Sequence, residues 1–388
     1  MSVPNITDHP VIKTLSDLVS INSVNPEWGG PGEAEVAAYV RKFFEEAGVE
    51  VREEEVLPGR SNVLARVPGK DRSRSLLFEA HMDTVTVEGM TIEPFEPRIE
   101  GNLMWGRGSC DVKAGLAAMM QAVVGVANSG HVPPQDLILA AVVDEEHEFR
   151  GVTHLINSLE TMPAGAVVAE PTQLEIATAN KGVLRWRILA HGKSAHSSKP
   201  DLGASAITAM ADVVKAFDDD NTQLALTEHP LVGAPTCNIG TIQGGDQVNF
   251  VPALCVIKID RRLIPGEVIE DVAFHYERMI REIESKHDGV RFEIEPSTIA
   301  DAAMETSVDE RIVGAAGMTA DEQGLGSRPI GVPFGCDCTK LSRAGIPSII
   351  FGPGSIDQAH TADEFVNLRE VEQACDFLQA IVHEFGRV

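Results

Sequence analysis

The sequence predicts an α/β fold with a mostly parallel central sheet, interrupted by an inserted α+β domain. Three observations predict it. Continuous apolar runs alternate with helical patterns up to about residue 179. The texture then changes to half-exposed alternation, and apolar runs return after about residue 298. A chain of 388 residues is also too long for one simple core, so about two domains are expected.

The elements follow in chain order. GEAEVAAYVRKFFEEAGVE (32–50) has apolar residues at helical spacing, with Gly48 near its end. SNVLARVPG (61–69) reads as a strand entering a turn, and RSLLFEA (74–80) as a short apolar strand. VKAGLAAMMQAVVGVANSG (112–130) is an alanine-rich helix closed by glycine. DLILAAVV (136–143) and GAVVAE (165–170) are continuous apolar runs, as strands covered on both faces are. KGVLRWRILAHGK (181–193) alternates apolar and polar residues. A helix at 203–217, strands at 236–242 and 254–260, a helix at 267–285 and a strand at 290–295 complete a split βαβ pattern, that of a ferredoxin-like sandwich. RAGIPSIIFGPGS (343–355) supplies another buried strand and a glycine-rich loop. The domain boundaries expected are 1–179 with 298–388, and 180–297 inserted between them.

The formal net charge of −26 argues against nucleic acid and anionic membrane as partners. MSVPNITDHP has neither a basic start nor an apolar run, and no stretch of about 18 apolar residues occurs. The six cysteines have no zinc-knuckle spacing, which argues against a structural zinc knuckle, and the lack of a signal-peptide pattern leads to the expectation of reduced thiols and a cytoplasmic location.

Candidate ligands share one placement. His81 and Asp83 follow LLFEA, Glu145 and Glu146 follow LILAAVVD, Glu170 ends GAVVA, and His360 follows SIIFGPGSIDQA. Ligands of open α/β sheets bind beyond the carboxyl ends of the strands, where such residues converge. Asp111, in GRGSCDVKAG just before a helix, is a further ligand or an N-cap. Any one of these alone is more commonly a cap or a satisfied hydrogen-bonder. A set made only of carboxylates and imidazoles points instead to a pair of divalent, zinc-like ions sharing a carboxylate. The consecutive acids Asp144, Glu145 and Glu146 need cations beside them. No phosphate-binding loop, G-x-S-x-G elbow or nucleophilic cysteine environment is present.

AHMDTV, GRGSCDVKAG, DEEHEFRG, AEPT and GPGSIDQAHTADEFV together resemble the signature blocks of a zinc-dependent superfamily. Its members are acetylornithine deacetylases, succinyl-diaminopimelate desuccinylases, aminoacylases and carboxypeptidases, and the last block is most similar to the acetylornithine deacetylase branch. The resemblance implies a zinc-peptidase-like catalytic domain, with the insertion forming a dimerisation or lid domain. His81 and Glu170 would hold one ion, Glu146 and His360 the other, and Asp111 would bridge them. The ions would be zinc, with cobalt possible. Asp83 would orient His81, and Glu145 would serve as general base and then acid. In the insertion, GKSAHSSKP supplies His196 as an oxyanion donor, GGDQVNFVP supplies Asn249, and DRRLIPGE supplies Arg262, or its neighbour Arg261, for the substrate carboxylate. Asp337, in PFGCDCTK, would meet a cationic side chain or stabilise a turn. Val112 and Ala114 stand where methionine and glycine often follow the bridging aspartate. The activity implied is removal of an acyl group from an N-acyl amino acid by a homodimer, N-acetylornithine first, in arginine biosynthesis. The alternatives are a desuccinylase, a carboxypeptidase or dipeptidase, and an inactive metal-binding homologue.

Overall fold

A computed structural model describes residues 9–387; residues 1–8, part of the stretch read for a leader, lie outside them. The described chain forms two compact units. One runs up to Thr178 and includes Thr306–Ile330 and everything from Cys336 onward. The other comprises Ala179–Glu305 with Gly331–Gly335.

The first unit is built on a twisted sheet. Its strands are β1 (Glu50–Leu57), β2 (Arg60–Val67), β3 (Asp71–His81), β4 (Gln135–Val142) and β5 (Gly165–Val168), joined by the strand Ser348–Ile350. The order is β1-β2-β4-β3-β5-(348–350). β1, β2 and β4 pair antiparallel, whereas β4, β3, β5 and 348–350 run parallel. Parallel strands are covered on both faces, which is why β3 and β4 read as near-continuous apolar runs. The register sets His81 beside Val142 and Glu79 beside Val168. Three parallel strands therefore end at one edge of the sheet.

The helix Lys113–Asn128 crosses from β3 to β4 and is buried on nearly every side. It lies under β3 and β4 and against the helices Pro10–Val19 and Leu368–Glu384. A helix apolar all round must be enclosed in this way. Gly115 allows its close approach, since a Cβ there would stand 2.7 Å from the Ala169 Cβ, one residue before Glu170.

The second unit contains β6 (Gly182–His191), the helix Ala206–Leu224, β7 (Thr236–Gly244), β8 (Leu254–Leu263), the helix Ile269–Glu284 and β9 (Arg291–Ile294). Its antiparallel order, β7-β8-β6-β9, is that of a ferredoxin-like sandwich. The strand Ile299–Asp301 extends the sheet beyond the expected pattern by pairing with β6. Trp186, Phe217 and Tyr276 meet in its core. Among the described residues no helix is long and apolar enough to cross a membrane, and all six cysteines are buried free thiols.

Candidate metal centre

The structure brings His81, Asp111, Glu146 and His360 together, with Glu170 near enough to feel the Asp111 charge. Asp111 occupies the middle. Its Oδ1 lies 3.1 Å from His81 Nε2, and its Oδ2 lies 3.3 Å from His360 Nε2. His360 Nε2 is also 3.1 Å from Glu146 Oε1. Asp111 does not cap the following helix, whose N-cap position is Val112 and has no side-chain capping bond. Its carboxylate has turned to the two imidazoles instead.

Two ligand atoms on one tetrahedral zinc stand about 3.3 Å apart. The observed spacings match that, and the donor types, imidazole and carboxylate, are those of zinc-like ions. The charge argument agrees. Asp111, Glu145 and Glu170 are buried and Glu146 partly so, and among the described residues the imidazoles of His81 and His360 face this group of acids. Burial pushes Glu145, Glu146 and Glu170 above the ordinary carboxylate range; Asp111 adds to this in each case. Such an acid-rich site is neutralised by divalent cations, so these residues fit the ions that their chemistry implies. Hydrogen bonds from His360 and His81 overcome burial and hold Asp111 below its usual value.

His81 Nδ1 meets the backbone carbonyl of Asp83 at 3.0 Å, while the Asp83 carboxylate stands 3.6 Å away. The imidazole is thus oriented by main chain rather than by the expected carboxylate. That carboxylate has another task. It accepts the backbone N–H of Glu145 at 3.1 Å and of Glu146 at 3.2 Å. Asn25 Nδ2 donates to it at 2.7 Å and to Asp144 at 3.0 Å. Asp83 therefore fixes the turn that presents both acids, helped by Asp144, whose φ of 67° lies in the left-handed region.

The three consecutive acids have three environments. Asp144 is fully buried and paired with Arg60 and Arg150. Arg60 also grips Glu33 through two bonds of 2.6 Å, and Glu33 in turn accepts the Asp144 N–H at 3.0 Å. Glu145 faces the ligand cluster, and Glu146 reaches His360. For Asp144 the neutralising cations are arginines.

A further carboxylate organises the Asp111 loop. Glu364 accepts N–H groups from Gly108 at 3.1 Å, Cys110 at 2.8 Å and Asp111 at 3.0 Å. It also pairs with buried Arg107 at 2.6 Å. Sequence reasoning missed Asn25, Glu33, Arg60, Arg107 and Glu364. Glu364 left one signal, a charged residue directly before the apolar strand that closes the last signature block.

Asp337 was expected to meet a substrate cation or stabilise a turn; it opens the helix Cys338–Arg343, its carbonyl accepting the Lys340 N–H at 3.0 Å, and its side chain is 1% exposed and lies against buried Glu79 on β3. Burial and the Glu79 carboxyl leave it no open surface on which to receive a substrate group.

In the second unit, His196 and Asn249 come together although they belong to separate motifs. His196 bridges to Phe250, and Ser197 N donates to the Asn249 carbonyl at 3.0 Å. The Ser198 N–H donates to His196 Nδ1 at 3.2 Å, which leaves the proton of a neutral ring on Nε2. Arg261 is buried and paired with Glu267. Arg262 lies on the opposite face of β8, half-buried, with its Nε 2.7 Å from Asp260.

The sequence matches the model of the peptidase family M20/M25/M40 over residues 77–384. It is 30% identical to an acetylornithine deacetylase of Vibrio campbellii over 97% of this chain and 98% of that one. A tripeptidase structure from Staphylococcus aureus superposes with a TM-score of 0.82 at 20% identity, covering 100% of both chains. A Bacillus subtilis structure, described as a dinuclear metal-binding peptidase of the M20 family, superposes with a TM-score of 0.73 at 16% identity over 96% of each chain. With a cluster of imidazole and carboxylate ligands at the strand ends, and likeness to the family along nearly its whole length, the chain belongs to peptidase family M20/M25/M40, metal-dependent hydrolases that cleave amide bonds.

Proposed function

We propose that this protein removes the acyl group from an N-acyl amino acid, N-acetylornithine first, and so serves arginine biosynthesis. The observation that carries the reading is the Asp111 carboxylate set between His81 and His360, with Glu145 beside the cluster. The full-length likeness to an acetylornithine deacetylase supports the choice of substrate.

His81 and Glu170 would hold one divalent ion, Glu146 and His360 a second, with Asp111 shared between them. Such ions, zinc or cobalt, supply positive charge toward a carbonyl oxygen and toward water. Glu145 takes the proton from the attacking water as its oxygen bonds to the acyl carbon, and delivers that proton to the nitrogen as the amide C–N bond breaks. Burial suits this role, because it brings the carboxyl toward the pH at which it must both accept and release a proton. Asp83 keeps Glu145 and Glu146 in place through their backbone amides. The Nε2–H of His196 is proposed as donor to the developing oxyanion, and Arg262, released from Asp260, as the clamp on the substrate carboxylate. Asn249, joined to the His196 turn, is proposed as a substrate contact.

We also propose a homodimer through the second unit, acting as its dimerisation or lid domain. β7 is an edge strand, and Ile242, Val248, Phe250 and Leu254 are exposed along or near it. An unpaired edge beside exposed apolar side chains is suited to a second copy. The free thiols favour a reducing compartment, the cytoplasm.

The test is a panel of N-acetyl and N-succinyl amino acids, assayed with zinc and with cobalt, on wild type and Glu145→Gln. The reading expects N-acetylornithine to be preferred, and the variant to bind metal normally without turnover. Near-normal hydrolysis by the variant removes Glu145 as the base; preference for N-succinyl substrates replaces the substrate. Sedimentation of a monomer at micromolar concentration overturns the dimer.

A further inference from the structure

A cavity of about 430 Å³ opens beside His360 within the first unit, lined by Trp28, Val85, Thr86, Glu88, Arg107 and the loop after His360. We infer that this cavity is a subsite for a cationic side chain of the substrate, with Trp28 as its apolar wall and Glu88 as its counter-charge. The inference rests on the amidohydrolase reading above.

The walls are fixed rather than incidental. Trp28 sits in a short 3-10 turn whose first amide is capped by Asn25 Oδ1, and its own N–H donates to the Asn25 carbonyl at 3.0 Å. The Asn25 side-chain amide holds Asp83 and Asp144, so the indole is anchored to the same network as the acids of the metal centre. On the other side, Glu88 N donates to Thr86 Oγ1 at 3.1 Å, and Arg107 Nε donates to the Thr86 carbonyl at 3.2 Å. Thr91 N ties this loop to the Ala362 carbonyl at 2.8 Å.

The charges then select the ligand. Besides the ligand His360, two charged groups line the cavity, and they differ in what remains to be satisfied. Each nitrogen of Arg107 already has an acceptor, in Glu364, Thr361 and Thr86, and the side chain is buried. It offers no open fork to a carboxylate. Glu88 is exposed, and its carboxylate has no hydrogen-bond or ion-pair partner among the described residues. Trp28 is 39% exposed, leaving indole surface against which methylenes can rest and a cation can be attracted. An alkylammonium satisfies both walls at once, whereas an anionic side chain would meet an unpaired carboxylate. Because His360 forms part of the lining, a group held here lies next to the reacting centre.

The experiment compares Nα-acetylornithine with Nα-acetylnorvaline, which has the same carbon chain without the ammonium, on the zinc-loaded wild type, Glu88→Gln and Trp28→Leu. Wild type should favour the ornithine substrate. In Glu88→Gln the ratio of the two kcat/KM values should fall about fivefold, through the KM of the cationic substrate. Trp28→Leu should lower the same ratio, though less. An unchanged ratio in Glu88→Gln overturns the subsite. If wild type hydrolyses neither substrate, the N-acetylornithine reading fails on its own. The subsite is then decided by calorimetric titration with ornithine and norvaline: weaker binding of ornithine alone in Glu88→Gln upholds it, and equal binding of both by wild type overturns it.

Discussion

Glu364 holds Asp111 from behind: its Oε1 accepts the Asp111 N–H at 3.0 Å, while the Asp111 carboxylate faces two imidazoles. The same oxygen takes the Cys110 N–H, and its partner oxygen takes Gly108 N–H and Arg107. Arg107 donates to the carbonyl of Thr361, next to His360. One buried ion pair thus links the loop of the shared ligand to the loop of an outer one.

Glu364→Gln should therefore weaken zinc binding. The amide keeps the shape but leaves Arg107 buried without a counter-charge and presents one fewer acceptor to the loop. Loss of an outer partner of this kind costs about 10- to 100-fold in metal affinity. Competition against a chromogenic chelator would measure it. Affinity equal to wild type would show that the loop holds Asp111 unaided.

Metal uptake should release protons. In the metal-free protein, burial alone would lower both histidines, but neighbouring carboxylates outweigh it. Asp111, Asp83 and Glu145 raise His81 well above its ordinary value, and Asp111 with Glu146 pushes His360 up to about 11. Both imidazoles are then cationic at neutral pH, yet only the neutral ring can ligate. Zinc must displace these protons, so its affinity should rise with pH. The sign for the metal-free fold is opposite: stability from these pairs is full below the unfolded histidine value and is lost as pH rises through the raised one. Calorimetry of zinc binding in buffers of different ionisation enthalpy gives the proton count. Release of none would show that the apo site is already neutral.

The legibility of this protein in its sequence divides along contact range. β3 to β5 could be read because strands covered on both faces are apolar throughout, and the ligands because they follow those runs directly. His81, Glu145 and Glu170 needed only the rule that parallel strands end together. What could not be read are partners chosen by tertiary approach. Glu33 and Arg60 lie far from Asp144 in sequence, and nothing local marks them as its neighbours. Asp337 looked like a loop residue, since its burial depends on meeting Glu79 across the fold. The helix Pro10–Val19, β1 and the helix Leu368–Glu384 also passed unassigned. β1, with its exposed edge of charges, lacks the apolar run that revealed the central strands.

Arg60 should prove a structural residue of the first unit. It sits between two buried acids, Glu33 and Asp144, and Asn25 and Arg150 complete the network around Asp144. Burial raises Asp144, but the Arg150 and Asn25 hydrogen bonds and the Arg60 charge overcome it, and the net value is lowered. A depressed carboxylate stabilises the fold above its unfolded value, and that contribution is lost as pH falls through the folded one. Arg60→Met leaves Glu33 buried without its partner, which costs about 3–5 kcal/mol near pH 7. The deficit should shrink in acid, where the carboxyls take up protons. Urea unfolding at pH 7 and pH 4.5 would measure both values; equal stability of variant and wild type at pH 7 would remove the ion pair from the account.

Glu79 makes the contrary prediction, a gain in stability on loss of an ionisable group. Its carboxyl is fully buried on β3, two residues before His81, and faces Asp337. Burial first, then the Asp337 carboxylate, raises Glu79 well above the ordinary range, and burial also pushes Asp337 up to about 6. The folded protein therefore keeps a proton on Glu79 that the unfolded chain would give up. An acid raised in this way favours the fold below its unfolded value and opposes it increasingly as pH rises toward the folded one. Glu79→Gln carries its hydrogen-bond donor at every pH and escapes that penalty. Thermal unfolding of the zinc-loaded proteins from pH 5 to pH 8 should find the two close at the acid end, with the variant increasingly the more stable as pH rises. A wild type that stays more stable at pH 8 would mean that the Glu79 carboxylate has a cationic partner and does not keep its proton in the fold.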